Sequence, residues 1–459
     1  MATADSIGER MAGPAIRAWN IARALAKQHD VQLVTTSPMA QRSSPDFEVR
    51  TVADAGLREL IQWCEIFVFQ GGVMVGREFI ARSDRIIVAD VYDPMHLEQL
   101  EQAREAGDTG RNLAIRGATA ALNEQLLRGD FFMCASDKQR DLWLGHLASL
   151  GRVNARTYDG DETLRQLIDV VPFGIEDDAP VRTGRGVKGV VAGISADDEM
   201  VLWGGGIYNW FDPLSLIHAI DLLRHKRSKV RLVFMGGRHP NPDVPEMQMA
   251  VEAQRLARDL ELIDSHVFFN DGWVPYDERQ NFLLDADVAV STHLDHVETA
   301  FSFRTRVLDY LWAGVPVVAT TGDSLADLIS ERGFGITVPP GDIEAIAAAM
   351  GRLLEDHELA ARCARNAFDA APALRWDHTL EPLRAFCAAP RRAPDLVDPE
   401  LGPELERSRR AAALRPSTGV RHDIGLVVEH LKAGGPRLLV QRVTSRTRRV
   451  LSKTRSSRG

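Results

Sequence analysis

Ser302-Phe303-Arg304-Thr305-Arg306-Val307-Leu308-Asp309-Tyr310-Leu311-Trp312-Ala313-Gly314-Val315-Pro316-Val317-Val318 is the stretch on which the fold reading turns. It reads as a helix face carrying basic and acidic side chains, a glycine stop at Gly314, and a buried strand from Val315 to Thr320. Outward from it the same alternation repeats. Upstream lie apolar runs at Val201 to Gly206, Val230 to Gly236, Val267 to Phe269 and Asp287 to Val290, and helical segments follow near 342–388. An earlier series spans Gly13 to about Pro172, with short β-rich runs at Val31 to Thr36, Ile66 to Phe69, Arg85 to Asp90 and Phe131 to Ala135. Short strands alternating with helices predict parallel sheets covered on both faces, so the fold class is α/β with two doubly wound domains in tandem.

The domains are read as residues 1–175 and 176–388, with a basic segment at 389–459; the linker runs from about Val170 to Glu199. A length of 459 residues favours two cores over one. The first domain is expected to have an incomplete first strand, because only Met1 to Asp5 precede the turn at Ser6-Ile7-Gly8, as though the chain began inside that strand. Residues from about Ala388 to His422 are rich in Pro, Arg and Ala, lack apolar periodicity, and are expected to be flexible.

Hydrophobic and charged fractions of 45% and 26% are those of a globular protein, and no run of 18 apolar residues occurs. The reading therefore excludes a membrane-spanning helix and a secretory leader, and expects a cytoplasmic protein with reduced thiols at Cys64, Cys134, Cys363 and Cys387. Net charge is −9, but from Pro390 onward there are 16 Lys and Arg against 7 Asp and Glu. A basic helix from Pro436, with Arg442, Arg446, Arg449 and Lys453 toward anionic headgroups, would place the protein at the inner membrane face. A solvated tail is the plainer alternative.

Several loops carry candidate chemistry. Gly8-Glu9-Arg10-Met11-Ala12-Gly13-Pro14 opens a helix whose free N–H groups at Gly13 could face an anion; a simple strand-to-helix turn is the alternative. Asp90-Val91-Tyr92-Asp93-Pro94-Met95-His96-Leu97-Glu98 follows a buried strand, where open α/β sheets place ligands. There Asp93 and His96 would bind sugar hydroxyls or handle protons, unless Asp93 only caps a helix starting at Pro94. Trp203-Gly204-Gly205-Gly206-Ile207 would let the amides of Gly205 and Gly206 approach a pyrophosphate. Arg238, Arg304 and Arg306 are candidate phosphate cations, since a guanidinium matches phosphate in bidentate geometry; solvated surface charge is the alternative. Asp309 could accept two hydrogen bonds from vicinal ribose hydroxyls, or could pair with Arg306 on the helix surface. His293-Leu294-Asp295-His296-Val297-Glu298 holds four possible metal ligands, but no second ligand cluster supports a metal; Glu298 is the best acid of the loop. Gly184-Arg185-Gly186-Val187-Lys188-Gly189 spells a dinucleotide fingerprint without a preceding strand and is set aside.

The spacing of Arg306, Asp309, Gly314 and Pro316-Val317-Val318 resembles the nucleotide-binding signature of retaining glycosyltransferases, in which Lys-x-x-Glu and a small-residue stretch ending in Gly precede Pro-Val-Val. The loop from Gly8 to Arg17 resembles the first loop of family 4 (group 1) of these enzymes. The resemblance covers about residues 8–388 and implies a GT-B fold, two Rossmann-like domains facing across a cleft. It implies transfer of a sugar, with retention, from a nucleotide diphosphate sugar held by the second domain to a glycan or glycolipid hydroxyl held by the first. Surface polysaccharide or glycolipid synthesis is the implied setting, with no metal, no cofactor beyond the donor, and no nucleic acid partner. The chain departs from the family pattern at Ile207 and Asp212, where the family carries Arg and Lys, and at Phe301, where its first acid would fall; Glu298, three residues earlier, is the sugar contact that the resemblance implies. A nucleotide-sugar 2-epimerase of the same architecture and a degenerate nucleotide-sugar-binding protein are the alternatives.

Overall fold

The computed structural model describes residues 1–413 apart from 38, 39, 238, 240–246 and 271. Arg238 and the basic helix expected from Pro436 thus lie outside the described residues. Among those described, the strands form two parallel sheets. The first contains β1 (Ala2–Thr3), β2 (Gln32–Thr35), β3 (Glu48–Thr51), β4 (Ile66–Gln70), β5 (Ile86–Asp90), β6 (Phe131–Cys134) and β7 (Ile168–Val170), in the order β3-β2-β1-β4-β5-β6-β7. The second contains β8 (Glu199–Trp203), β9 (Val230–Phe234), β10 (Val267–Phe269), β11 (Val288–Ser291), β12 (Val317–Thr320) and β13 (Gly335–Val338), in the order β10-β9-β8-β11-β12-β13. In each the order reverses beside the first strand, and the loops after β1 and β8 leave the sheet at that switch point, where doubly wound sheets bind ligands.

The continuous apolar runs became the central strands because both faces are covered by helices: β4, β6, β11 and β12 are almost wholly buried. β1, only two residues long, nevertheless lies at the centre of its sheet, pairing Ala2 with Val34 and Phe69. In the opening stretch the helix runs Arg306–Trp312, Gly314 takes φ +66°, and β12 begins at Val317. Val317 to Thr320 pair in register with Gly335 to Val338.

The chain crosses between domains twice. After the second domain, Trp376 N–H donates to the Ile175 carbonyl, and Phe386 of the Glu381–Ala388 helix stacks on Phe131 of the first domain at 4.5 Å. Residues 390–413 then depart from the expectation of a flexible segment. The Pro394–Val397 and Leu401–Ala412 helices fold back on the first domain. Asp395 forms a fully buried ion pair with Arg152 at 2.7 Å, and Arg409 reaches Glu78, Glu124 and Glu406. The segment lacks an apolar stripe because its contacts are ionic, so hydrophobic periodicity carries no signal for it.

Candidate functional site

The Gly-rich loop after β8 is shaped by close backbone contacts. Gly205 has φ +81°, and a Cβ on Gly236 would fall 2.6 Å from the Gly205 backbone. Tyr310 fixes the start of the loop: Gly204 N–H donates to its hydroxyl at 2.7 Å, and that hydroxyl donates to the Val290 carbonyl. The two positions where cations were missing have structural duties. Ile207 is buried in the second-domain core, and Asp212 caps the Pro213–Arg224 helix through Ser215 N–H.

A cation does reach this loop from the opening stretch. Arg306 is 8% exposed; its guanidinium lies 4.3 Å from the Trp203 ring centre and 4.1 Å from that of Phe211, and Nη2 donates to the Gly206 carbonyl at 2.9 Å. It makes no ion pair among the described residues, and Nη1 is buried without a hydrogen-bond partner. Burial lowers its pKa to about 10, which leaves it charged at neutral pH. A buried guanidinium with no counterion and a spare donor, beside a glycine loop, is chemically suited to an anion.

Arg304 behaves differently. It grips Glu298 in a bidentate pair, Nη2 to Oε2 at 2.7 Å and Nη1 to Oε1 at 3.1 Å, with both side chains buried. A candidate phosphate cation and a candidate catalytic acid thus neutralise each other. His296 Nδ1 stands 3.7 Å from Glu298, while His293 pairs with Asp323 at 3.3 Å, which in turn caps the Ser324–Arg332 helix. No group of three or more His, Cys, Asp or Glu side chains that could hold a metal occurs among the described residues. Asp309 pairs with Arg279 at 3.0 Å rather than with Arg306. Arg279 had no sequence signal: it is 30 residues away and held by the Tyr276 and Trp312 rings.

Across the cleft, Gly13 starts the Gly13–Leu25 helix, which has no side-chain cap at its N-terminus. Arg17 of this helix is fully buried and grips Asp90 bidentately at 2.6 and 2.9 Å, lying over the Tyr92 and Phe173 rings. That pair sets the direction of the loop after β5. Asp93 in this loop does not cap the Met95–Gln102 helix, so its side chain is left to the cleft, where Oδ1 has no partner. Burial, with Glu298 and Asp90 nearby, raises its carboxyl to about pKa 6, and it shares a hydrogen bond with Glu98, whose own pKa is also pushed up by burial. Glu98 is the member of this cluster that sequence reading left without a role.

His96 stands apart from this cluster. Its ring packs 5.8 Å from Trp143 and 6.3 Å from His146, and no hydrogen bond links it to Asp93 or Glu298. Burial lowers its pKa to about 4, so it is neutral there. Asp93 lies in the loop before the Met95–Gln102 helix and His96 in its first turn, and the two side chains meet different neighbours.

Direct contacts hold the two sides together. Trp273 Nε1 donates to the Met11 carbonyl at 3.0 Å, Tyr276 N–H to the Glu9 carbonyl at 2.8 Å, and the Gln139 amide to the Phe301 carbonyl at 2.8 Å.

Comparison with known proteins agrees with this geometry. Residues 199–356 match the family model described as glycosyl transferases group 1. The chain is 31% identical over 235 residues to the D-inositol 3-phosphate glycosyltransferase of Acidothermus cellulolyticus, covering 47% of this chain and 49% of that one. The chain thus spans about half that relative's length. Among solved structures it resembles sucrose-phosphate synthase from Thermosynechococcus elongatus (TM-score 0.58, 18% identity, 84% of this chain and 97% of that one). It resembles Anabaena HepE in complex with UDP-glucose to the same degree (TM-score 0.58, 16% identity, 84% and 99%). The chain is a two-domain protein of GT-B fold whose second domain matches the group 1 glycosyltransferases.

Proposed function

We propose that this chain is a retaining glycosyltransferase of family 4 that moves a sugar from a nucleotide diphosphate sugar to the hydroxyl of a glycan or glycolipid acceptor, in surface polysaccharide or glycolipid synthesis. The observation that carries the reading is Arg306, a buried guanidinium on the Gly206 carbonyl with no counterion among the described residues. In this reading the diphosphate neutralises it, and the amides of Gly205 and Gly206 complete the cradle. As the sugar–phosphate bond breaks, negative charge grows on the leaving phosphate, and a fixed cation stabilises that charge without reorganising. Asp93 and Glu98 hold the acceptor hydroxyl from the first domain, and the departing phosphate takes its proton on the same face. Arg304 acts through Glu298, holding that carboxylate in place, and Asp309 with Arg279 serves the ribose. The donor class accords with the HepE relative, whose structure contains UDP-glucose.

Thermal-shift screening with UDP, GDP, ADP and dTDP sugars, followed by product analysis with the donor that binds, tests the proposal. A glycoside of retained configuration is the expected product. A free epimerised nucleotide sugar, or binding with no turnover, sinks it in favour of the epimerase or the degenerate binding protein. The structural duties of Ile207 and Asp212 are what keep the degenerate reading in view.

A further inference from the structure

Gln139 lies in the first turn of the Asp137–Ser149 helix and is fully buried. Its side-chain nitrogen donates to the Tyr92 carbonyl of the first domain at 2.7 Å and to the Phe301 carbonyl of the second at 2.8 Å. Its side-chain oxygen accepts from Ala135 N–H at 2.8 Å. A primary amide has two N–H donors on one nitrogen. Here each goes to a different domain, and the oxygen anchors the group to the end of β6.

The two carbonyls belong to the segments that carry the cleft acids. Tyr92 directly precedes Asp93, and Phe301 ends the Val297–Phe301 helix that begins beside Glu298. Because one nitrogen bonds both, the separation of these backbones is set by the amide itself. We propose that Gln139 is a positioning residue for sugar transfer, a buried latch that holds the acceptor loop at Asp93 in register with the Glu298 segment; the proposal rests on the transferase reading above. The neighbouring contact between domains, Lys138 with Asp327 at 2.9 Å, has both side chains about half exposed, so solvent and salt screen it. The contacts of Trp273 and Tyr276 secure the loop at Glu9 and Met11, not the side that bears Asp93.

Two variants separate a latch from a packing residue. Gln139→Met keeps length and volume but has no donor. Gln139→Glu keeps shape, yet at neutral pH it presents a carboxylate to two carbonyls and regains one O–H donor only when protonated. Both are compared with the wild type by titration with UDP, GDP and ADP sugars, by nucleotide release from the donor, and by small-angle scattering. The latch requires that donor affinity stay within about twofold while kcat falls about tenfold or more, since small misplacements of reacting groups cost that much. It also requires a larger radius of gyration, and in Gln139→Glu a partial return of kcat as pH falls toward about 5. Unchanged kcat and scattering overturn the proposal; so does loss of folding, affinity and turnover together in both variants, which would assign Gln139 to packing alone. If the wild type binds no nucleotide sugar, the transferase reading fails by itself, and the scattering comparison still decides whether Gln139 holds the domains together.

Discussion

Glu298 and Arg304 form a bidentate ion pair inside the cleft, with Glu298 1% and Arg304 5% exposed. Two charges this far from water are tolerable only together. Removing either partner leaves the other uncompensated, which costs about 3–5 kcal/mol, whereas removing both costs far less. Glu298→Gln and Arg304→Met are each expected to lower the urea midpoint, and the double variant to regain most of the loss. Additive losses would show that the pair is not coupled.

Arg306 presents the opposite case, a buried charge with a carbonyl partner but no counterion among the described residues. Arg306→Met retains the packing against Trp203 and Phe211 and removes the desolvated cation, so the free protein is expected to melt no lower than the wild type. Nucleotide diphosphate affinity is expected to fall about 10- to 100-fold, the range for losing a charged hydrogen bond. Calorimetric titration and thermal melting of the same sample check both halves. Unchanged affinity would remove Arg306 from the donor site.

The carboxyl of Asp93, raised from the ordinary value of 3.8 to about 6, carries a pH signature. A folded-state pKa above the unfolded one means that the folded protein binds the proton more tightly. The stabilisation is complete below about pH 4 and is lost as pH rises through about 6. Urea unfolding between these pH values should show stability falling with rising pH, and Asp93→Asn should flatten that part of the profile. An identical slope in the variant would place the titration elsewhere.

Residues 394–412 hold the first domain through ion pairs, of which Arg152 with Asp395 is fully buried. Asp395→Ala leaves the Arg152 guanidinium facing only the Leu126 and Gly129 carbonyls and is expected to destabilise by about 3–5 kcal/mol. A chain ending at Ala389 should unfold its first domain earlier still, because Asp130 and Glu124 also lose Arg392 and Arg409. Unaltered melting of the shortened chain would show that this segment only rests on the surface.

A Cβ at Gly236 would collide with the Gly205 backbone. Neither atom belongs to a flexible side chain, so Gly236→Ala is expected to displace the Gly-rich loop and weaken nucleotide binding at least about tenfold, with a smaller effect on melting. Wild-type affinity in this variant would show that the loop does not touch the donor.

The central strands were legible because β4, β6, β11 and β12 are buried on both faces and write continuous apolar runs. β3 and β13 were not: they are edge strands, with side chains mostly part-exposed and polar residues among them, and so carry no such run. β7 was not read as a strand either: its three residues include Asp169, and its last, Val170, stands where the linker was taken to begin. At the site, residue type was readable but partnership was not. Arg304, Arg306, Glu298 and Asp309 all stand within twelve positions, and nothing in their spacing tells which arginine is neutralised.

The sequence by itself determined the class of fold, the two glycine loops and the stretch that carries the charged groups, because apolar periodicity, glycine and proline act locally. Only the packed structure shows that Arg304 belongs to Glu298, that Asp309 belongs to Arg279, that Glu98 rather than His96 joins Asp93, and that Arg306 has no counterion among the described residues. Those outcomes depend on which side chains lose water together, and burial of charge is a property of packed surfaces from distant parts of the chain.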